Sequence, residues 1–166
     1  MSPRHAKRKG PKVRQCLECA VDLKVTVRNY KYVESGLPNI VLQDIEIRRC
    51  PECGDEEVAI PKIAQLHRVL AAAIAKKTTG LTGEEGRFLR KFLGWSGRDT
   101  ARRLGVRAET VSRWESGARP MGPSSERLLR MFALALEPVL DYSTFDKMGH
   151  AAPRPSKLRL RLDKEW

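Results

Sequence analysis

No apolar run in this sequence approaches the roughly 20 residues that a membrane-spanning helix needs. The basic N-terminal stretch also lacks the apolar segment of a secretory signal. The expectation is a cytoplasmic chain without a membrane partner, whose thiols stay reduced. Cysteine is sparse, with four residues. In a reducing compartment four thiols point to metal rather than to disulfides. Residues 1–15 contain no acid beside six Lys/Arg. They read as a solvated, disordered basic tail with non-specific phosphate contact as a secondary role. A nucleophile–base pairing is missing as well, so an enzyme is not expected.

What is present is charge, unevenly placed. The formal net charge is +12. Residues 147–166 hold six Lys/Arg against two acids, residues 16–61 five basic against nine acidic, and residues 84–137 eleven basic against seven acidic. The basic half can approach phosphates, and the acidic half is repelled by them. The asymmetry implies one half for nucleic acid and the other for a different partner. The 166 residues suffice for two small domains, each near the lower limit for a self-supporting core. A staple is therefore expected in one of them.

Cys16-Leu-Glu-Cys19 and Cys50-Pro-Glu-Cys53 supply it. Two such knuckles offer four thiolates, enough to close a tetrahedral shell around a structural zinc ion. A closed shell leaves no open position for catalysis. A redox pair is the rival reading, but it needs no second matched pair. His67 lies on an expected helix and reads as a surface or packing residue rather than a ligand.

Between the knuckles, Val21, Leu23, Val25 and Val27 alternate as in a strand. The apolar parity slips at Tyr30 and Tyr32, which places a bulge or turn near Arg28-Asn29. Ser35 to Asn39 is turn chemistry. Ile40 to Ile47 forms a second strand or a bulged pair, and Glu57–Ile60 a short last one. Such a sheet has too small a core without metal, so metal removal is expected to unfold it and spare the rest. Pro61 marks a helix start, with Ile63, Leu66, Leu70 and Ile74 on one face as far as about Lys77. Leu81 to Gly94 is a further helix, opened by a Thr82/Glu85 capping box. Ser96 caps the next, with Asp99 at its third position. After a loop at Arg119–Pro123, Ser124 or Ser125 caps a helix with Leu128, Leu129, Phe132 and Leu136 on its face. From about Ser143 the periodicity fades into a basic tail. Leu158, Leu160 and Leu162 alternate there, yet disorder is the favoured reading.

Leu104 to Gly117, LGVRAETVSRWESG, reads as the turn and second helix of a helix-turn-helix. Gly105 supplies the freedom in φ that the turn needs. Val111 and Trp114 anchor one face, while Arg107, Glu109, Thr110 and Arg113 present hydrogen-bonding groups on the other. A short helix of this kind is what a major groove accepts.

These residues resemble the Cro/repressor-type helix-turn-helix, through Leu81-Thr82, Phe88-Leu89-Arg90, Leu93-Gly94, Ala101, Leu104-Gly105-Val106, Val111–Glu115 and Gly117. The whole of 16–140 resembles the MqsA-type antitoxins, in which a four-cysteine zinc domain precedes such a module. The fold class expected is α+β, a small zinc-stapled antiparallel β domain followed by an all-α helix-turn-helix domain. The boundaries are a tail 1–15, a zinc domain 16–61, a connecting helix and linker 62–80, the helix-turn-helix domain 81–140 and a tail 141–166.

The resemblance implies a homodimer whose zinc half neutralises a small toxin, often a ribonuclease. The other half represses the shared operon at palindromic double-stranded DNA. The alternative is a stand-alone zinc-containing regulator. Arg113 is the first choice for base readout, because its fork matches guanine O6 and N7. Glu109, one turn earlier, accepts from cytosine N4 or pairs with Arg113. Arg107, Thr110, Ser96 and Arg119 are assigned to phosphates. Two positions depart from relatives: Gly97 replaces a frequent glutamine, and Glu109 a frequent amide. In similar domains an arginine and a glutamate placed like Arg90 and Glu115 pair across the first and third helices.

Overall fold

The computed structural model describes residues 14–135, 155 and 157–161. Its elements in chain order are β1 (Lys24–Lys31), β2 (Ile40–Arg49), β3 (Glu56–Ala59), α1 (Ile63–Lys76), α2 (Gly83–Phe92), α3 (Gly97–Leu104), α4 (Ala108–Glu115), α5 (Pro123–Leu134) and β4 (Leu158–Arg161). This is the expected α+β order, an antiparallel-rich sheet with the four cysteines followed by five helices.

β2 is the spine of the sheet. β1 pairs with it antiparallel along one edge. The other edge is shared: β3 takes Glu46–Arg49 antiparallel, and β4 takes 40–43 in parallel. Arg28 pairs with Ile45 and Tyr30 with Leu42, so the single Asn29 faces both Gln43 and Asp44. Asp44, at φ 55, is part of this bulge. The parity slip read near Arg28-Asn29 is therefore present, but the inserted residue sits on the opposite strand. It lets Ile40 and Leu42 before it, and Ile45 and Ile47 after it, all bury on one face. β1 carries no insertion. Its even residue Tyr30 joins the core, and Val25 and Val27 stay exposed, at 40% and 63%.

α1 begins at Ile63, two residues after Pro61, with Lys62 in the left-handed region at φ 49. Ile63 itself is exposed. Leu66, Leu70, Ala71, Ile74 and Ala75 are buried. They belong to one continuous cluster with the β2 isoleucines, Leu81, Phe88 and Leu89 around α2, and Leu129, Ala133 and Leu134 of α5. The connecting helix thus packs on both halves, which share one core. Tyr32 and His67 carry the same link. The Tyr32 hydroxyl lies 2.8 Å from His67 Nε2, and the His67 ring also meets Phe88 edge-on at 5.9 Å. Burial pushes the His67 imidazole below its ordinary value. His67 is a packing residue.

α5 turns a different face inward from the one its leucines imply. Glu126, Leu129, Arg130, Ala133 and Leu134 are buried, while Leu128, Met131 and Phe132 are exposed. Its N-cap is Gly122 with Pro123 in the first turn, rather than Ser124 or Ser125. The reason is Arg130, which is 0% exposed. Its guanidinium donates to the Ala75, Lys77 and Thr79 carbonyls at 3.0, 2.6 and 2.6 Å, and to Glu126 Oε1. It thereby satisfies the carbonyls at the α1 C-terminus that no helical partner can reach. Lys77 in turn pairs with Glu85, the capping-box residue of α2.

β4 is a further departure. Residues 158–161 form a strand on the chain's own sheet, not a disordered segment. Leu158 and Leu160 pack against the main core, and their alternation fits the half-edge of β2 that β3 leaves open. The expected disordered tail 1–15 is too long by two residues: Gln15 bridges to Asp22, the Leu23 amide donates to the Arg14 carbonyl at 3.0 Å, and Arg14 pairs with Glu57. Residues 1–13, the stretch 136–154 with Leu136 and Pro138, and Leu162 lie outside the described residues. No described helix is long and apolar enough to cross a membrane.

Candidate metal centre and nucleic-acid interface

The knuckles flank the β1–β2 pair, and the Lys24–Arg49 pairing brings them to one end of the sheet. The Sγ atoms of Cys16, Cys19, Cys50 and Cys53 all lie within 4.8 Å of one another, with Cys16 and Cys53 at 3.6 Å. Four sulfurs at about 2.3 Å from one ion would stand about 3.8 Å apart, so the cluster is at metal-binding distance. All four are free thiols.

Both knuckles close with the same turn. The Ala20 amide donates to the Cys16 carbonyl at 3.0 Å, and the Gly54 amide to the Cys50 carbonyl at 3.1 Å. Backbone N–H groups of Cys53 and Glu52 hold the Cys50 thiol down to about 7, while a hydrogen bond shared with Cys53, together with burial, pushes Cys19 up to about 12. One thiolate is favoured by the loop, and further thiolates need a positive partner among them. A bound metal ion would supply it.

The two turns differ in one respect. Gly54 takes φ 78 at no steric cost, but Ala20 is held at φ 55. Left-handed backbone costs a non-glycine residue on the order of 1 kcal/mol. Ala20→Gly is expected to raise stability by up to about 1 kcal/mol, read as a higher midpoint in urea with an unchanged slope. No gain would mean that the turn carries no strain.

The second site is built on α3 and α4. Gly105 closes α3 in the left-handed region at φ 66, and the Val106 amide reaches back to the Ala101 carbonyl at 2.9 Å. Ala101, Leu104, Val111 and Trp114 form a small cluster backed by Val106 and Met121. This fixes the inner side of α4 and leaves Glu109, Ser112 and Arg113 exposed together. Ser112, three residues after Glu109, is a candidate the sequence reading passed over; its signal was that spacing. Among the described residues no ion pair joins Glu109 to Arg113.

The other candidates surround this face. Arg107 is the exposed N-cap residue of α4, Thr110 is half-buried, and Arg119 lies in the following loop. Ser96 is engaged in a capping box. Its hydroxyl accepts from the Asp99 amide at 3.1 Å and lies 2.6 Å from Asp99 Oδ2, to which it donates.

α4 is locked to α2. Arg90 Nε and Nη2 reach Glu115 Oε1 and Oε2 at 2.5 and 3.0 Å, and Arg87 adds a third bond at 3.1 Å. Burial pushes the Glu115 carboxyl up, but these arginines outweigh it, and the net shift is downward. Gly83 is required at the same junction, since a Cβ there would lie 2.6 Å from the Trp114 carbonyl oxygen. Gly86, inside α2, makes room for the Met121 side chain, 3.2 Å from where its Cβ would be.

The helix-turn-helix family model matches residues 87–136. The match takes in α3 and α4 entire, with the Arg90–Glu115 clamp inside it. Comparisons with curated proteins and with solved structures return no match. A helix-turn-helix beside a four-cysteine cluster fits a DNA-binding regulator that carries a structural metal module.

Proposed function

We propose that the protein is a homodimeric antitoxin that binds a palindromic operator in double-stranded DNA and represses its own operon. Its sheet domain, stapled by zinc, neutralises a small toxin, in keeping with the MqsA-type resemblance. It has no catalytic role and works in the cytoplasm. The observation that carries the reading is α4. One side is pinned by Val111, Trp114 and the Arg90–Glu115 clamp, and the other presents Glu109, Ser112 and Arg113 together. Arg113 reads a base edge, with Glu109 beside it. Arg107, Thr110 and Arg119 hold phosphates. Ser96 contributes through its cap, because its proton is already given to Asp99.

Zinc is the ion favoured by four cysteine sulfurs in a closed tetrahedral set. A second copy fits the exposed stripe Leu128, Met131 and Phe132 on α5, spaced three and four apart. Operator palindromy mirrors such a two-fold. Phe132→Glu with Leu128→Glu is expected to give monomers in sedimentation and to weaken operator binding. A toxin finds its surface on the acidic half, where Val25, Val27 and the fully exposed Leu17 offer apolar contacts.

Arg113→Ala is expected to lose about 1–3 kcal/mol on the operator and little on random duplex, whereas Arg119→Ala weakens both alike. Equal losses on both duplexes for Arg113→Ala would overturn the base-reading role. Co-purification from the native host tests the other half. A small protein retained by residues 16–61 supports the antitoxin; none retained leaves a stand-alone metal-containing regulator.

A further inference from the structure

The arginines of the sheet are nearly all neutralised. Arg14 pairs with Glu57, Arg28 with Glu56, Arg48 with Glu46 and Arg49 with Glu56. Arg159 on β4 is different. Among the described residues it has no ion-pair partner, and neither have Lys31 and Lys157. The sheet register gathers these three cations. Lys31 pairs with Val41, and Val41 with Arg159, so one row crosses three strands with a cation at each end. Paired residues share a face, and Leu158 and Leu160 of β4 pack into the core, so this row lies on the face turned away from the helices. Lys157, two residues from Arg159, repeats the charge at a spacing of about 6.6 Å. Together with Asn39 the three line a cleft of about 500 Å³, and among the described residues its walls contain no carboxylate.

We propose that this cleft is a second nucleic-acid contact, taking the phosphate backbone of duplex DNA that flanks the operator. The inference rests on the operator reading of α4. Cations with no partner and no carboxylate beside them among the described residues attract phosphates, whereas the remainder of 16–61 repels them. β4 is what builds the site, since without it Lys31 stands alone at the end of β1.

The test compares full-length protein with the double variant Lys31→Gln, Arg159→Gln on two duplexes. One duplex is the minimal footprint. The other extends it by about 20 base pairs on each side, two helical turns. Both side chains are exposed, so the fold is expected to hold, and an unchanged melting temperature checks it. Wild type is expected to bind the longer duplex more tightly. The variant should lose that gain, match wild type on the short duplex, and show a salt slope on the long one lower by about 2. An extension that adds nothing to wild type, or a variant that keeps the gain, overturns the site. So does single-stranded RNA that binds through these cations as tightly as the long duplex does. Loss of the gain on random as well as operator DNA supports the site even if Arg113→Ala shows that the operator reading fails.

Discussion

Stripping the metal from Cys16, Cys19, Cys50 and Cys53 is expected to unfold the sheet and to lower the melting temperature of the helical half with it. The sheet core is too small to hold without its staple, since metal binding supplies about 10 kcal/mol or more of folding free energy in comparable small modules. What lies beyond the sheet follows from the shared core. Ile40, Leu42, Ile45 and Ile47 form one buried cluster with Leu66, Leu70 and Ile74 of α1. Losing the strands exposes that helix face, at a cost on the order of 5 kcal/mol if a few large side chains are uncovered. The check is a chelator titration followed by far-UV circular dichroism and a thermal melt, with operator binding measured in parallel. A helical transition that stays where it was in the metal-bound protein would show two independent units. Two independent halves are the natural expectation from the charge asymmetry and the linker, and the continuous core argues against it.

Replacing Arg130 is expected to have an effect of similar size. Arg130→Ala leaves the Glu126 carboxylate buried without its partner, and it strips donors from the Ala75, Lys77 and Thr79 carbonyls. Breaking one member of a buried pair costs about 3–5 kcal/mol. Arg130→Lys should rescue little, because a single ammonium cannot span three carbonyls and a carboxylate as the planar fork does. Adding Glu126→Gln to Arg130→Ala removes the stranded charge but not the bare carbonyls, so recovery should be partial. Urea denaturation of the four proteins measures this. Full recovery in the double variant would place the whole effect in the ion pair and none in the carbonyls.

Arg130 also shows where reading the chain alone falls short. Spaced four residues from Glu126, it looks like one more solvated helix pair. Its burial depends on where α1 ends, which no local pattern encodes. The same fact rotates α5 and exposes Leu128 and Phe132, which their spacing assigns to the core. The sheet was legible in outline because alternation and turn residues are local. The bulge was seen through its effect on Tyr30 and Tyr32, and misplaced because an insertion in either strand shifts the parity in the same way. The cysteines, both capping boxes and Gly105 were legible because chemistry at fixed spacing demands them, whereas the Arg90–Glu115 pair, 25 residues apart, was legible only through the resemblance to repressor-type domains. β4 was not, since a strand of four residues is recognised only by the edge it fills.

That last strand sets an order on events during synthesis. Residues 158–161 leave the ribosome after every other described element has been made, so β2 presents bare amides and carbonyls at 40–43 throughout elongation. For that interval the nascent chain offers a template on which a neighbouring polypeptide on the same message can pair. Translation that pauses between α5 and β4 prolongs the hazard, and rapid completion of the C-terminal segment ends it.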